Sequence, residues 1–145
     1  MNQTEKRLNV VLLMDDIRNG GVATLVAQFL EARGHAARPD GSLRSAAEAV
    51  EKAQADVVVI DQYWLAKIGG AGVRTLRAAA GAETRLVFVV EQPRDMSTLR
   101  PLREREATLP CPFTARQLIQ AVETGEGVAI RRRYQPNIQT RGLPA

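Results

Sequence analysis

Residues 56–64 read DVVVIDQYW, a run of β-branched aliphatic side chains held between Asp56 and Asp61. An unbroken apolar run of this length, rather than an alternating one, marks a strand buried on both faces. Such strands belong to parallel sheets covered by helices. The carboxylate at the end of the run admits two readings. Asp61 caps the segment that follows, or it is a reactive group that the sheet presents at its edge. This stretch weighs the two evenly.

Two further runs are of the same kind. Residues 8–14, LNVVLLM, end in Asp15 and Asp16, and residues 85–90, RLVFVV, end in Glu91. Between the runs, Val22, Leu25, Val26, Phe29 and Leu30 recur at helical spacing, with Gly34 placed to stop that helix. HAARPDG (35–41) suits only a brief strand and turn. Ser45 and Glu48 have capping-box spacing where Leu43, Ala46, Ala47 and Val50 share a face. IGGAG (68–72) reads as a glycine loop, after which Val73, Leu76 and Ala80 give a third helix ending near Gly81. STLRPLRERE (97–106) is a short charged helix interrupted by Pro101, and TLPCPF (108–113) is a poor strand by propensity. Thr114 and Gln117 form a second capping-box pair ahead of Leu118, Ile119 and Val122, and Gly125 stops the last helix.

The alternation is β-α five times over, an α/β fold with a parallel sheet covered on both faces. In such sheets the working site lies beyond the carboxyl ends of the strands, at the topological switch point. Asp15, Asp16, Asp61 and Glu91 all stand at those ends, so the fold gathers them into one candidate pocket. Converging carboxylates repel, and a divalent cation such as Mg²⁺, which takes hard oxygen ligands, relieves that repulsion. MDDIRNGG (14–21) puts two negative charges where a phosphate-binding loop would want backbone amides and a lysine. That argues against a nucleotide- or flavin-binding member of the same architecture.

With 145 residues, 45% hydrophobic and 25% charged, the chain has the balance of one ordinary globular domain. No apolar run approaches the roughly 20 residues that span a bilayer. The N-terminus lacks a signal-peptide pattern, and one cysteine forms no internal disulfide, so a cytoplasmic location is expected. A net charge of +4 hints only weakly at nucleic acid, because the basic residues are scattered apart from IRRRYQ (130–135). Residues 126–145 read as a basic, flexible C-terminal extension.

LLMDD, VVVID, Gly69 eight positions after Asp61, PDG at 39–41 and the Pro-Phe at 112–113 together resemble a bacterial response-regulator receiver domain over residues 8–125. The resemblance implies a doubly wound, flavodoxin-like (βα)5 sandwich with five parallel strands in the order 2-1-3-4-5. It implies two-component signalling, with Asp61 as phosphoryl acceptor from a histidine kinase or phosphotransfer protein. Asp15 and Asp16 would hold Mg²⁺ together with Asp61 and the Tyr63 backbone carbonyl. Enzymatic action would extend no further than the domain's own phosphorylation and dephosphorylation. A downstream protein or a second copy of the chain would engage the face built by the fourth helix, fifth strand and fifth helix. A cis Cys111–Pro112 bond is also implied. His35, the lone histidine, reads as a surface residue.

The sequence departs from that family where the switch operates. Glu91 stands in place of the family's Ser or Thr, Cys111 in place of its Lys, and Thr108 at its aromatic position. No lysine lies between residues 68 and 145, leaving an arginine such as Arg94 as the stand-in. Two like charges about 4 Å apart cost roughly 4 kcal/mol at an effective dielectric near 20. A phosphoryl group beside Glu91 without that lysine therefore meets a penalty as large as a typical switch. The expectation leans to an atypical or pseudo-receiver that works by protein contact. Cys111, among carboxylates, reads as a small buried residue rather than a redox thiol. The alternatives are a cofactor-binding flavodoxin-like module, for example of the cobalamin type, and a nucleic-acid-binding accessory protein using the arginine-rich tail.

Overall fold

The computed structural model describes residues 7–15, 17, 21–91 and 93–127. The tail from residue 128, with its arginine cluster, lies outside them. Five strands alternate with five helices: β1 (Asn9–Leu13), α1 (Val22–Ala32), β2 (Ala36–Pro39), α2 (Leu43–Glu51), β3 (Val57–Ile60), α3 (Gln62–Ala80), β4 (Arg85–Val90), α4 (Pro93–Leu99), β5 (Glu106–Pro110) and α5 (Ala115–Thr124). The strands pair in parallel in the order β2-β1-β3-β4-β5. The chain order reverses between β1 and β3, which is the switch point of the sheet.

The valine run is what places the sheet centrally. All four residues of β3 are buried, and their side chains alternate between two core clusters. Val58 and Ile60 join Val11, Leu13 and Phe88 beneath Val50, Leu65 and Leu76 of α2 and α3. Val57 and Val59 join Leu12, Val87 and Leu109 beneath Val26, Leu30 and Leu118 of α1 and α5. Each such side chain contributes about 1.5–3 kcal/mol when fully buried. A polar residue on either face of β3 would therefore break one of the two layers.

Several local expectations need correction, among them the fourth helix, expected over 97–106, which spans Pro93–Leu99, ahead of Pro101. The segment read as a glycine loop is helical, because α3 begins directly at Gln62 and runs through it with one kink at Gly69 (φ 62°, ψ −165°). Glycine reaches that backbone without strain. Three residues on, a Cβ on Gly72 would lie 2.3 Å from the Ile68 Cβ, so the kinked turn also needs a glycine there. The second helix is capped by Ser42, whose hydroxyl accepts from the Ser45 amide, and Ser45 instead donates to Asp40. The start thus lies three residues before the capping-box pair read from sequence. By contrast, the Thr114–Gln117 box is present at α5.

His35 is buried rather than on the surface. Its Nδ1 accepts from the Leu8 amide at 3.1 Å and its Nε2 lies 2.7 Å from Glu123 Oε2. Accepting at Nδ1 leaves the hydrogen on Nε2, directed at the carboxylate. Arg33 closes the set with two hydrogen bonds to Glu123. The start of β1, the end of α1 and α5, distant in sequence, are joined through this one imidazole.

Candidate functional site

The register of β1 on β3 sets Leu13 beside Ile60, so the residues after both strands emerge at the same level. Asp61 is fully buried there. Its Oδ1 accepts from the Trp64 amide at 2.8 Å, which makes it the N-cap of α3. Its Oδ2 accepts from the Asp15 amide at 2.7 Å. The two readings of Asp61 converge on one geometry: the carboxylate stands at the switch point, and it caps the helix. A carboxylate near a helix N-terminus is also favoured by the helix dipole.

Asp15 is half-buried and lines a cleft of about 390 Å³ with Tyr63, Trp64, Ala66 and Lys67. Asp16 lies outside the described residues. Tyr63 is the second residue of α3, where a regular helix directs the carbonyl along its axis towards the amide four residues on. Among the described residues no group of three or more His, Cys, Asp or Glu is arranged to hold a metal ion. Mg²⁺ commonly keeps several waters and takes only one or two carboxylates. Asp15 at the cleft fits that minimal arrangement; each Asp61 oxygen accepts one backbone amide and keeps one further acceptor position, at a carboxylate that is fully buried.

Glu91 follows β4 and is exposed, its amide donating to Asp95 Oδ2 at 2.8 Å. Cys111 follows β5, is partly buried, and takes a long contact of 3.7 Å from Gln62 Nε2. Burial, then the charge of Glu91, and more weakly that of Asp61, push the Cys111 thiol above its ordinary pKa. Asp61, Glu91 and Cys111 are thus gathered electrostatically, and the thiol is kept protonated. The Cys111–Pro112 bond is cis, as is Arg100–Pro101. Thr108 is buried within β5 opposite Phe88, back from the strand end. The side chain of Arg94 lies outside the described residues.

Lys67 was missed by sequence reading. It lies one turn along α3 from Tyr63, in the same cleft as Asp15, with its ammonium 4.4 Å from the centroid of the Trp64 ring. The signal was the i, i+3 spacing of Trp64 and Lys67, legible only once 62–68 is known to be helical.

The fold is that of receiver domains. The receiver domain of the sensor histidine kinase PA1611 from Pseudomonas aeruginosa PAO1, with magnesium coordinated in its active-site cleft, superposes with a TM-score of 0.64 at 17% identity, covering 81% of this chain and 95% of that one. The chemotaxis protein CheY4 of Vibrio cholerae gives 0.62 at 18%, covering 80% and 96%. NtrX from Brucella abortus, solved with ATP, gives 0.62 at 21%; 81% of this chain is covered, but only 26% of NtrX. No family model and no curated protein matches the sequence. No helix among the described residues is long and apolar enough to cross a membrane.

Proposed function

We propose that this chain is a receiver-type signalling module of the pseudo-receiver kind, acting through protein contact without phosphorylation of Asp61. The observation that carries this reading is the capped, fully buried state of that carboxylate. A phosphoacceptor needs an oxygen that an incoming phosphoryl group can reach, and here the carboxylate is fully buried, with each oxygen held and its charge partly satisfied by a backbone amide. The surroundings add to the cost, since Glu91 and Cys111 occupy the positions from which a hydroxyl and a lysine would stabilise the added charge. A Mg²⁺ ion held by Asp15, with Asp16 adjacent in sequence, would supply charge neutralisation at this edge.

The contact surface is supported by exposed apolar residues on α1. Leu25 is 50% exposed and Phe29 42%, and both border an apolar cleft of about 220 Å³ whose far wall includes Pro112 and Phe113. Ile17, in sequence between β1 and α1, is 91% exposed. A histidine kinase, a phosphotransfer protein or a downstream regulator with an apolar helical surface is the partner this reading calls for.

Intact-mass measurement after incubation with acetyl phosphate and Mg²⁺ tests the reading. No added phosphoryl group is expected. A Mg²⁺-dependent gain of one group, lost in Asp61→Asn, would make the chain a working phosphoacceptor and overturn the proposal. Mg²⁺ titration of the single tryptophan, Trp64 in the Asp15 cleft, reports separately on the cation.

A further inference from the structure

The opposite edge of the sheet carries a feature that the proposed function leaves unused. Where β4 and β5 begin and α3 and α5 end, a cleft of about 540 Å³ is lined by Arg77, Arg85, Arg103 and Arg105, with Glu104 and Glu106. The six residues of β4 put roughly 20 Å between this edge and the Asp61 edge. Arg77 and Glu106 neutralise each other through two bonds of 2.7 Å. The other three guanidiniums are held by backbone carbonyls instead. Arg85 donates to Val122 O at 2.6 Å, Arg105 to Glu83 O at 3.2 Å and Arg103 to Arg77 O at 3.4 Å.

Among the described residues none of these three has a carboxylate within ion-pair distance. Glu104, exposed on the rim, is the one acid in the lining not already paired. Arg85 is half-buried, and its pKa is lowered first by that burial and then by the charge of Arg105. Two like charges are therefore held near each other at one wall, each anchored by a carbonyl that fixes position without cancelling charge. An anion in the cleft would relieve that repulsion and accept from the remaining N–H groups.

We propose that this cleft binds a small phosphorylated molecule carrying at least two negative charges. Planar guanidiniums match phosphate oxygens in paired hydrogen bonds. The volume falls in the range of about 300–1,000 Å³ usual for small-ligand sites. A recess confined to the starts of two strands and the ends of two helices, rather than a stripe of charge across a face, favours a compact anion over a nucleic acid strand.

Pyrophosphate titrated into the full chain, in chelator and without divalent cations, tests this by residue-resolved NMR and calorimetry. Saturable shifts at Gly81, Arg85 and Gly125 are expected, with affinity reduced about tenfold or more in Arg85→Gln and in Arg105→Gln. Arg44→Gln, at an exposed position of α2, should bind as the parent does. Arg105 is exposed, so its variant reports even if Arg85→Gln misfolds. A nucleoside diphosphate in a parallel titration separates the sources: tighter binding identifies a nucleotide, equal binding the diphosphate alone. The proposal fails if no saturation occurs in the millimolar range, if the variants bind like the parent, or if the shifts fall at residues 130–135 or around Asp61. It also fails if duplex DNA displaces pyrophosphate while a nucleotide does not.

Discussion

The Asp61 carboxylate and the Asp15 amide, 46 residues apart, are joined by a 2.7 Å hydrogen bond across the ends of β3 and β1. The other Asp61 oxygen holds the first turn of α3. One buried side chain thus ties the central strand pair to the helix that follows. Its substitution should be felt in stability whether or not the protein transfers phosphate.

Asp61→Ala leaves two backbone amides without their acceptor and should cost about 2–4 kcal/mol. Asp61→Asn keeps a cap for Trp64 but turns an amide NH₂ towards the Asp15 N–H, and should cost about 1–2 kcal/mol. Urea unfolding of both variants checks the order. Equal losses would mean that the bond to Asp15, and not the cap, carries the whole effect.

Arg77 and Glu106 form an enclosed ion pair, with side chains 10% and 3% exposed. Arg77 also donates to the Leu99 carbonyl at 2.6 Å, fastening the end of α4. Arg77→Met or Glu106→Gln alone should destabilise by about 3–5 kcal/mol, because a buried charge loses its partner. The double substitution should cost clearly less than the sum of the singles. A double-mutant cycle in urea measures that coupling.

Glu123 has its pKa lowered chiefly by the Arg33 hydrogen bond, against an opposing effect of burial, with His35 adding to the lowering. A depressed carboxylate pKa contributes stability that is present above the unfolded value, about 4.3 for glutamate, and is lost as pH falls through the folded value. The parent should therefore exceed Glu123→Gln in stability at neutral pH. The gap should close as pH drops below about 4. Thermal unfolding across pH 3–7 reads it directly, and a gap that persists at the acid end would sink this assignment.

Cys111 should react slowly with iodoacetamide at neutral pH, since its thiol is held protonated by burial and by Glu91. Glu91→Gln removes the charge contribution and should speed alkylation on the order of twofold to threefold, the carboxylate being exposed and screened. Alkylation rates followed by mass against pH give both values. An unchanged rate would show that burial alone sets the thiol.

The sequence by itself determined the architecture. Three unbroken apolar runs, each ending in an acid, and four intervening patterns at helical spacing already required a parallel sheet with helices on both faces. The reason is physical: strand burial and helix amphipathicity are properties of residues near one another in the chain. It also brought Asp15, Asp61 and Glu91 to one edge, because every strand of a parallel sheet ends on the same side. What only the tertiary structure decided depends on residues far apart. That Asp61 is both edge carboxylate and helix cap follows from α3 starting at Gln62, through a segment whose glycines had suggested a loop. That His35 is interior follows from Leu8 and Glu123, at separations of 27 and 88 residues. The arginine cleft needed the close approach of two strand starts and two helix ends, and no local pattern in the chain encodes that meeting.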